Sequence, residues 1–195
     1  MSLLWVWRHP KPREVAGRCI GHTEVVVDRR KAKRLAHRIR RTARRNGLPR
    51  VVWTSNLMRS ADVGAWLARW GWQHRRDARL SEMNFGAWDG LPWHAIGTAA
   101  VDAWCGDFAD HAPGGGESVS NLLGRCAAFA AEFSAEVDAP CCVVGHAGWI
   151  SAMTWLSRRA QEAPSARSWP AAVGYSTCTR FAASVVRPKS HNATT

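Results

Sequence analysis

Apolar residues in this chain fall into short unbroken runs, separated by longer stretches of helical period. Leu3-Leu4-Trp5-Val6-Trp7 places five large apolar residues in a row, the pattern of a strand covered on both faces. Pro10 and Pro12 end it, because proline lacks an amide donor and fixes φ. Arg50-Val51-Val52-Trp53 and Cys141-Cys142-Val143-Val144-Gly145 repeat the motif. A further short strand is expected near Arg76–Leu80, and a final pair near Val173–Ser176 and Thr179–Val186. The alternation in Thr179-Arg180-Phe181-Ala182 marks the last as an edge, possible in antiparallel sense.

Between the strands the period changes to three and four. Ala32, Leu35, Ala36, Ile39 and Ala43 form a narrow apolar stripe after Asp28, a capping residue, and Asn46-Gly47 closes the helix. Further helices are expected over Leu57–Trp70, Pro92–Ile96, Ala99–Asp110 and Gly148–Arg158. A long one carries Val119, Leu122, Leu123, Cys126, Phe129, Phe133 and Val137 on one face. Strands alternating with helices require crossovers, so the expected fold is a three-layer α/β/α sandwich with a mostly parallel sheet. One domain is expected over 1–187, with 188–195 a disordered tail.

Each covered strand delivers the same chemistry where it stops. The first ends in Arg8-His9, the second leads through Thr54-Ser55 to Arg59, and the third ends in His146. In open α/β sheets ligands bind at the carboxyl ends of the strands. Two guanidinium groups converging there suit a dianion such as phosphate, which they grip bidentately. They also disfavour imidazolium, and a histidine kept neutral has a free ring nitrogen that can attack phosphorus. The helix opening at Gly148 aims amide donors at the same anion. Taken singly, His9 or His146 is more often a satisfied structural histidine, Arg59 a solvated helix residue, and Glu82 a cap. Gly114–Gly116 lacks the lysine and hydroxyl of a nucleotide-binding loop and reads as plain loop. The repetition at three strand ends is what favours a site.

Composition narrows the class without naming it. Hydrophobic residues make up 46% and charged ones 22% of 195, a globular balance large enough to need no disulfides. The six cysteines show no metal-ligand spacing, and most of the twelve tryptophans read as core. No signal-peptide pattern and no membrane-length apolar run occurs, so a cytoplasmic protein with no membrane partner is expected. Eleven Lys/Arg and no carboxylate lie between Arg29 and Arg50, which accounts for nearly all of the net charge of +12. A solvated helix face is the favoured reading of that run, since it contains no aromatics for base stacking; a nucleic-acid partner is therefore not expected.

At these residues the sequence resembles the histidine phosphatase superfamily, also called phosphoglycerate-mutase-like. Arg8-His9-Pro10 is similar to its opening Arg-His-Gly motif, and Thr54-Ser55-Asn56-Leu57-Met58-Arg59-Ser60-Ala61 to its second segment. Glu82 with Phe85-Gly86-Ala87-Trp88-Asp89-Gly90 resembles the segment carrying its acid, and Gly145-His146-Ala147-Gly148 its last motif. The resemblance implies His9 as nucleophile, forming a phosphohistidine, with Arg8, Arg59, His146 and Ala147 on the phosphoryl oxygens. Glu82 would protonate the leaving oxygen and then help activate water. It implies neither metal nor cofactor, a small phosphomonoester as substrate and inorganic phosphate as product. The oligomeric state stays open, a homodimer among the options.

Pro10 stands where the family has glycine, and Lys11-Pro12-Arg13-Glu14-Val15 lacks the family's following Glu-Thr, which argues for a hydrolase over a mutase. Asp102-Ala103-Trp104-Cys105-Gly106-Asp107, His111-Ala112-Pro113 and Gly115-Gly116-Glu117-Ser118 look most like the α-ribazole phosphatase branch, as does Gly17–Glu24. That branch implies α-ribazole 5′-phosphate as substrate, in assembly of the cobalamin nucleotide loop, with His22 and Thr23 touching it. The alternatives are a sugar or small-molecule phosphatase of broad specificity, a phosphoglycerate-type mutase and, from another class, a basic nucleic-acid-binding protein.

Overall fold

The computed structural model describes residues 3–136, 139–159 and 162–183. Its centre is β4 (Cys141–Gly145), buried at every position between β1 (Leu3–Arg8) and β2 (Val51–Thr54). The sheet runs β3-β2-β4-β1-β5, with β3 at Gln73–Arg76 and β5 at Cys178–Ala182. All pairings are parallel except β1 with β5. The expected α/β sandwich is therefore the architecture observed.

The side-chain period of two divides the core. Cys142 and Val144 face one side with Trp7 and Val52, against α1 (Arg29–Arg45) and α2 (Met58–Ala68). Cys141 and Val143 face the other with Leu4 and Val6. There Leu122, Phe129, Trp149, Ile150 and Met153 cover them from α5 (Val119–Glu136) and α6 (Ala147–Arg159). Each fully buried Leu, Ile or Phe here contributes roughly 1.5–3 kcal/mol by leaving water. Two shorter helices, α3 (Trp93–Ile96) and α4 (Thr98–Gly106), lie in the β3–α5 connection.

The helix ends follow local chemistry. The Asp28 carboxylate accepts the Arg30 amide at 2.7 Å and starts α1. Gly47, at φ +62°, lets the chain turn back after Asn46, and the Leu48 amide then reaches the Ala43 carbonyl. Leu57 offers α2 no side-chain cap; the carboxylate of Glu24 accepts the Met58 amide instead, at 2.9 Å.

Two expected elements are corrected. The strand placed near Arg76–Leu80 lies earlier, at Gln73–Arg76, and Ala78–Leu80 is a 3₁₀ turn capped by Asp77. As an edge strand β3 carries polar residues, and the apolar signal at Leu80 belongs to the turn that plugs the core. The penultimate strand near Val173–Ser176 does not form. Ser176 takes φ +59°, and the Thr177 amide bonds the Gly174 carbonyl, so the chain turns where it would have to extend. Thr179–Val186 becomes Cys178–Ala182 as far as the described residues reach; 184–186 and the expected tail lie outside them.

Candidate active site

Register assembles the site. β1 and β4 pair with Arg8 opposite Gly145, so the next residue of each strand, His9 and His146, emerge side by side. The His9 amide donates to the Gly145 carbonyl at 3.0 Å, and the two imidazole centroids are 5.0 Å apart. Thr54 pairs with Val144, which brings Ser55 to the same edge, and its hydroxyl lies 2.7 Å from His146 Nε2. Arg59, one residue into α2, enters from below at 1% exposure.

Each ring is oriented by a bond on the side away from its neighbour. His9 Nδ1 lies 2.8 Å from the Pro10 carbonyl, which can only accept; Nδ1 therefore carries the proton and Nε2 keeps its lone pair. Burial lowers the His9 pKa to about 3, helped by the charges of Arg59 and Arg8, so the ring is neutral at working pH. Burial, with His9 and Arg59 nearby, likewise holds His146 well below the ordinary histidine value. The Ser55 hydroxyl faces His146 Nε2, and Nδ1 is left without a partner.

The guanidinium groups are held by carbonyls. Arg59 donates to Thr23 O at 3.0 Å and to Gly21 O, while Arg8 donates to Val173 O at 2.6 Å. Among the described residues neither guanidinium makes an ion pair, although Glu82, Glu24 and Asp89 act on Arg59 through space. Among the described residues five buried side-chain polar atoms lack a partner, and three are here: Arg8 Nε, Arg59 Nε and His146 Nδ1. Unpaired donors at one spot beside a neutral histidine are the complement of a tetrahedral anion. The first amides of α6, at Ala147 and Gly148, precede the helix's first return bond, from Ile150 N to His146 O.

Glu82, 8% exposed, accepts the Met83 amide at 3.1 Å and packs against Gly148, where a methyl group would overlap its Oε1. Arg125 steadies its loop, donating to the carbonyls of Arg79, Ser81 and Glu82 at 2.7, 2.8 and 3.0 Å while paired with Glu117. His22 and Thr23, the expected substrate contacts, lie on the loop beside Glu82. The Thr23 hydroxyl donates to Asp89 at 2.6 Å, and a ring nitrogen of His22 sits 2.9 Å from the Glu82 carbonyl. Asp89 also accepts the amides of Gly21, His22 and Thr23, so this loop is clamped from below by one carboxylate.

Four contributors had no assigned role in the sequence reading. Ser55 and Asp89 lie inside quoted motifs, but their partners are 91 and about 67 residues away and no local pattern reveals them. Arg125 is read as part of an amphipathic helix. Tyr175 gives no signal at all: its ring lies 3.8 Å from the Arg8 guanidinium and 5.6 Å from the His9 ring.

Beyond Glu82, Ala147 and Gly148 opens a chamber of about 460 Å³. Its walls are Phe85, Trp93, Trp104, Phe108 and Trp169, with Met83, Val119 and Leu122. Trp104 meets Phe85 edge-on at 5.9 Å and stacks on Phe108 at 5.2 Å. Gly86 and Gly114 let the two loops beneath it touch backbone to backbone, which a side chain at either position would prevent.

Comparison with known proteins matches residues 4–188 to the family model of the histidine phosphatase superfamily (branch 1). The chain belongs to this superfamily. A glucosyl-3-phosphoglycerate phosphatase of Mycobacterium tuberculosis is 35% identical over 139 residues, 65% of this chain. The match spans only 60% of that relative's length. The native structure of the mycobacterial glucosyl-3-phosphoglycerate phosphatase superposes with a TM-score of 0.73 at 28% identity, covering 92% of this chain and 89% of that one. An α-ribazole phosphatase from Shigella flexneri superposes at 0.72 with 23% identity, over 91% and 89%, a likeness of fold. Among the described residues no helix is long and apolar enough to cross a membrane.

Two results are expected from this geometry. Ser55→Ala removes the hydroxyl that holds His146 Nε2; kcat/KM should fall by about 10–100-fold, with Ser55→Thr restoring most of it. Loss of stability without loss of rate would assign Ser55 to packing alone. The second concerns acid. Between pH 6.5 and about 3 the unfolded chain binds a proton at His9 that the folded protein refuses, so stability falls as pH drops through that window. Urea unfolding should show a loss of about 2–3 kcal/mol from this ring by pH 4.5, with no cost above neutrality and a flatter profile for His9→Gln. An equally steep profile in the variant would remove His9 as the cause.

Proposed function

We propose that the protein is a metal-independent phosphomonoesterase working through a phosphohistidine on His9, with α-ribazole 5′-phosphate as substrate. The observation that carries the chemistry is the neutral, Nδ1-protonated His9 ring 5.0 Å from His146, beside two guanidinium groups that carbonyls hold and that make no ion pair among the described residues. His9 Nε2 attacks phosphorus, the N–P bond forms and the P–O bond to the leaving alcohol breaks. Glu82 gives its proton to the departing oxygen. Arg8, Arg59, His146 Nδ1 and the Ala147 amide hold the three remaining oxygens, whose charge they meet in the transition state. Water then attacks phosphorus, Glu82 takes its proton, and His9 leaves as neutral imidazole with inorganic phosphate as product.

The chamber supports the choice of substrate. α-Ribazole 5′-phosphate carries a flat bicyclic aromatic base on its ribose, and an aromatic-walled space of about 460 Å³ beside the acid suits such a group. Identity to the mycobacterial relative favours a second reading, a glucosyl-3-phosphoglycerate-type substrate. That leaving group bears a carboxylate and many hydroxyls, and the chamber offers it no cation. The cobalamin role stands or falls with the aromatic substrate.

The test is kcat/KM on α-ribazole 5′-phosphate, glucosyl-3-phosphoglycerate, 3-phosphoglycerate and simple sugar phosphates, with chelator present throughout. At least about tenfold preference for the aromatic substrate is expected. Preference for a sugar phosphate removes α-ribazole while leaving His9 in place. Activity lost to chelator and restored by a divalent cation would sink the mechanism itself.

A further inference from the structure

The cationic run on α1 plays no part in the site just described, and the fold gives it features a solvated face does not require. Of the ten Lys/Arg on α1 and Arg50 just beyond it, ten are exposed, and none forms an ion pair among the described residues. The carboxylates near it, Glu24, Asp28 and Asp62, all sit at the end where α1 begins. Over the remaining helix the neighbouring elements add two further cations, Arg69 after α2 and Arg180 on β5.

These charges are gathered, not splayed. Arg38, Arg40, Arg41 and Arg44 line a hollow of about 300 Å³. Arg40, Arg44 and Arg50 line a second of about 460 Å³, backed by Trp70 and Trp72. Like charges at three- and four-residue spacing, as at Arg40 and Arg44 or Arg41 and Arg44, repel one another along a helix. A polyanion seated across them would relieve that repulsion and release the small counterions that otherwise screen it.

We propose that this face of α1 is a second, non-catalytic site that binds double-stranded nucleic acid through its phosphates, without reading sequence. Nine of the eleven cations are arginine, whose planar forks fit phosphate oxygens. The helix's 17 residues extend for about 25 Å, enough to follow several phosphates of a duplex. Unpaired bases find no platform. The Trp70 ring is covered by His37 at 4.3 Å and Arg40 at 5.1 Å, and Trp66 by Arg69 at 4.9 Å and Lys33 at 5.1 Å. A bilayer finds no anchor either, because the large exposed apolar side chains (Val26, Met58, Leu91 and Trp93) lie off the helix. Arg50 precedes β2 whereas His9 and His146 follow the far ends of β1 and β4. The duplex would therefore lie away from the phosphoryl pocket.

The test is fluorescence anisotropy of the full chain at about 150 mM salt with a labelled 20-bp duplex of arbitrary sequence, the matching single strand, and phosphatidylserine vesicles. Expected is a duplex Kd of about 1–100 μM, tighter than for single strand or vesicles, with log K falling at a slope of about −4 or steeper against log salt. The triple variant Arg40→Glu, Arg41→Glu, Arg44→Glu should lose at least about 30-fold and flatten the slope by about 2–3. So should Arg34→Glu, Arg41→Glu, Arg45→Glu, which leaves the Arg40–Trp70 contact alone. Phosphatase kcat/KM should be unchanged in both variants and with duplex bound, which certifies the fold. Absence of duplex binding at that salt, unchanged binding in both variants, or tighter binding to single strand or vesicles would overturn the proposal.

Discussion

Replacing His9 with alanine is expected to reduce turnover of every phosphomonoester substrate by about four to six orders of magnitude. The residual rate would come from phosphoryl binding by Arg8, Arg59 and His146, which remain without a nucleophile. Acid-quench experiments with labelled substrate separate this from general damage. The wild-type enzyme should carry one phosphoryl group that is released by acid and survives alkali, and the variant should carry none. The expectation is strong because nothing else at the site can replace the ring. Burial pushes the nearby Cys19 thiol up to about 12, away from a reactive thiolate, and the Ser55 hydroxyl is committed to His146. Near-normal turnover, or a labelled H9A protein, would show that another group accepts the phosphoryl.

The second large effect comes from a single methyl group. Gly148→Ala places a Cβ where Glu82 Oε1 now lies, and the acid must swing away. Neighbouring backbone cannot yield, because the Glu82 loop is tied by three bonds to Arg125. For substrates with an alkoxide leaving group, kcat should drop by about 10²–10⁴-fold. With an aryl phosphate, whose phenolate departs without a proton, the loss should shrink to about tenfold or less. Glu82→Gln should show the same split. A uniform loss on both substrate types would mean that the variant disturbs the α6 amides and not the acid.

How far the sequence carries this picture depends on the range over which each residue finds its partners. β1 and β4 are legible because a strand buried on both faces needs an unbroken apolar run, and few other structures do. The residues that follow them are legible for the same reason: a charge directly after such a run is conspicuous. β3 is misplaced because an edge strand needs no apolar residues, and Leu80, which mimics one, serves a turn. The loop 173–176 is misread because Ser176 alone carries the positive φ that bends it. Tyr175, 167 positions along the chain from Arg8, meets it only after β5 has folded back along β1. The cationic run is legible as charge, but the clefts and covered indoles beside it arise only when α2 packs against α1.

The stacked aromatics of the chamber and the groups around His9 come from separate parts of the chain. Strand termini and the first turns of α2 and α6 furnish the latter, whereas the former come from the β3–α5 connection, α5 and the segment near Trp169. On the proposed mechanism, residues in those walls can therefore be exchanged for larger, smaller or more polar ones while His9 and His146 stay in place. For an engineer this divides the molecule into a fixed reaction head and an interchangeable mouldable cup, with Trp93 and Trp104 as the first positions to randomise when new alcohols are sought.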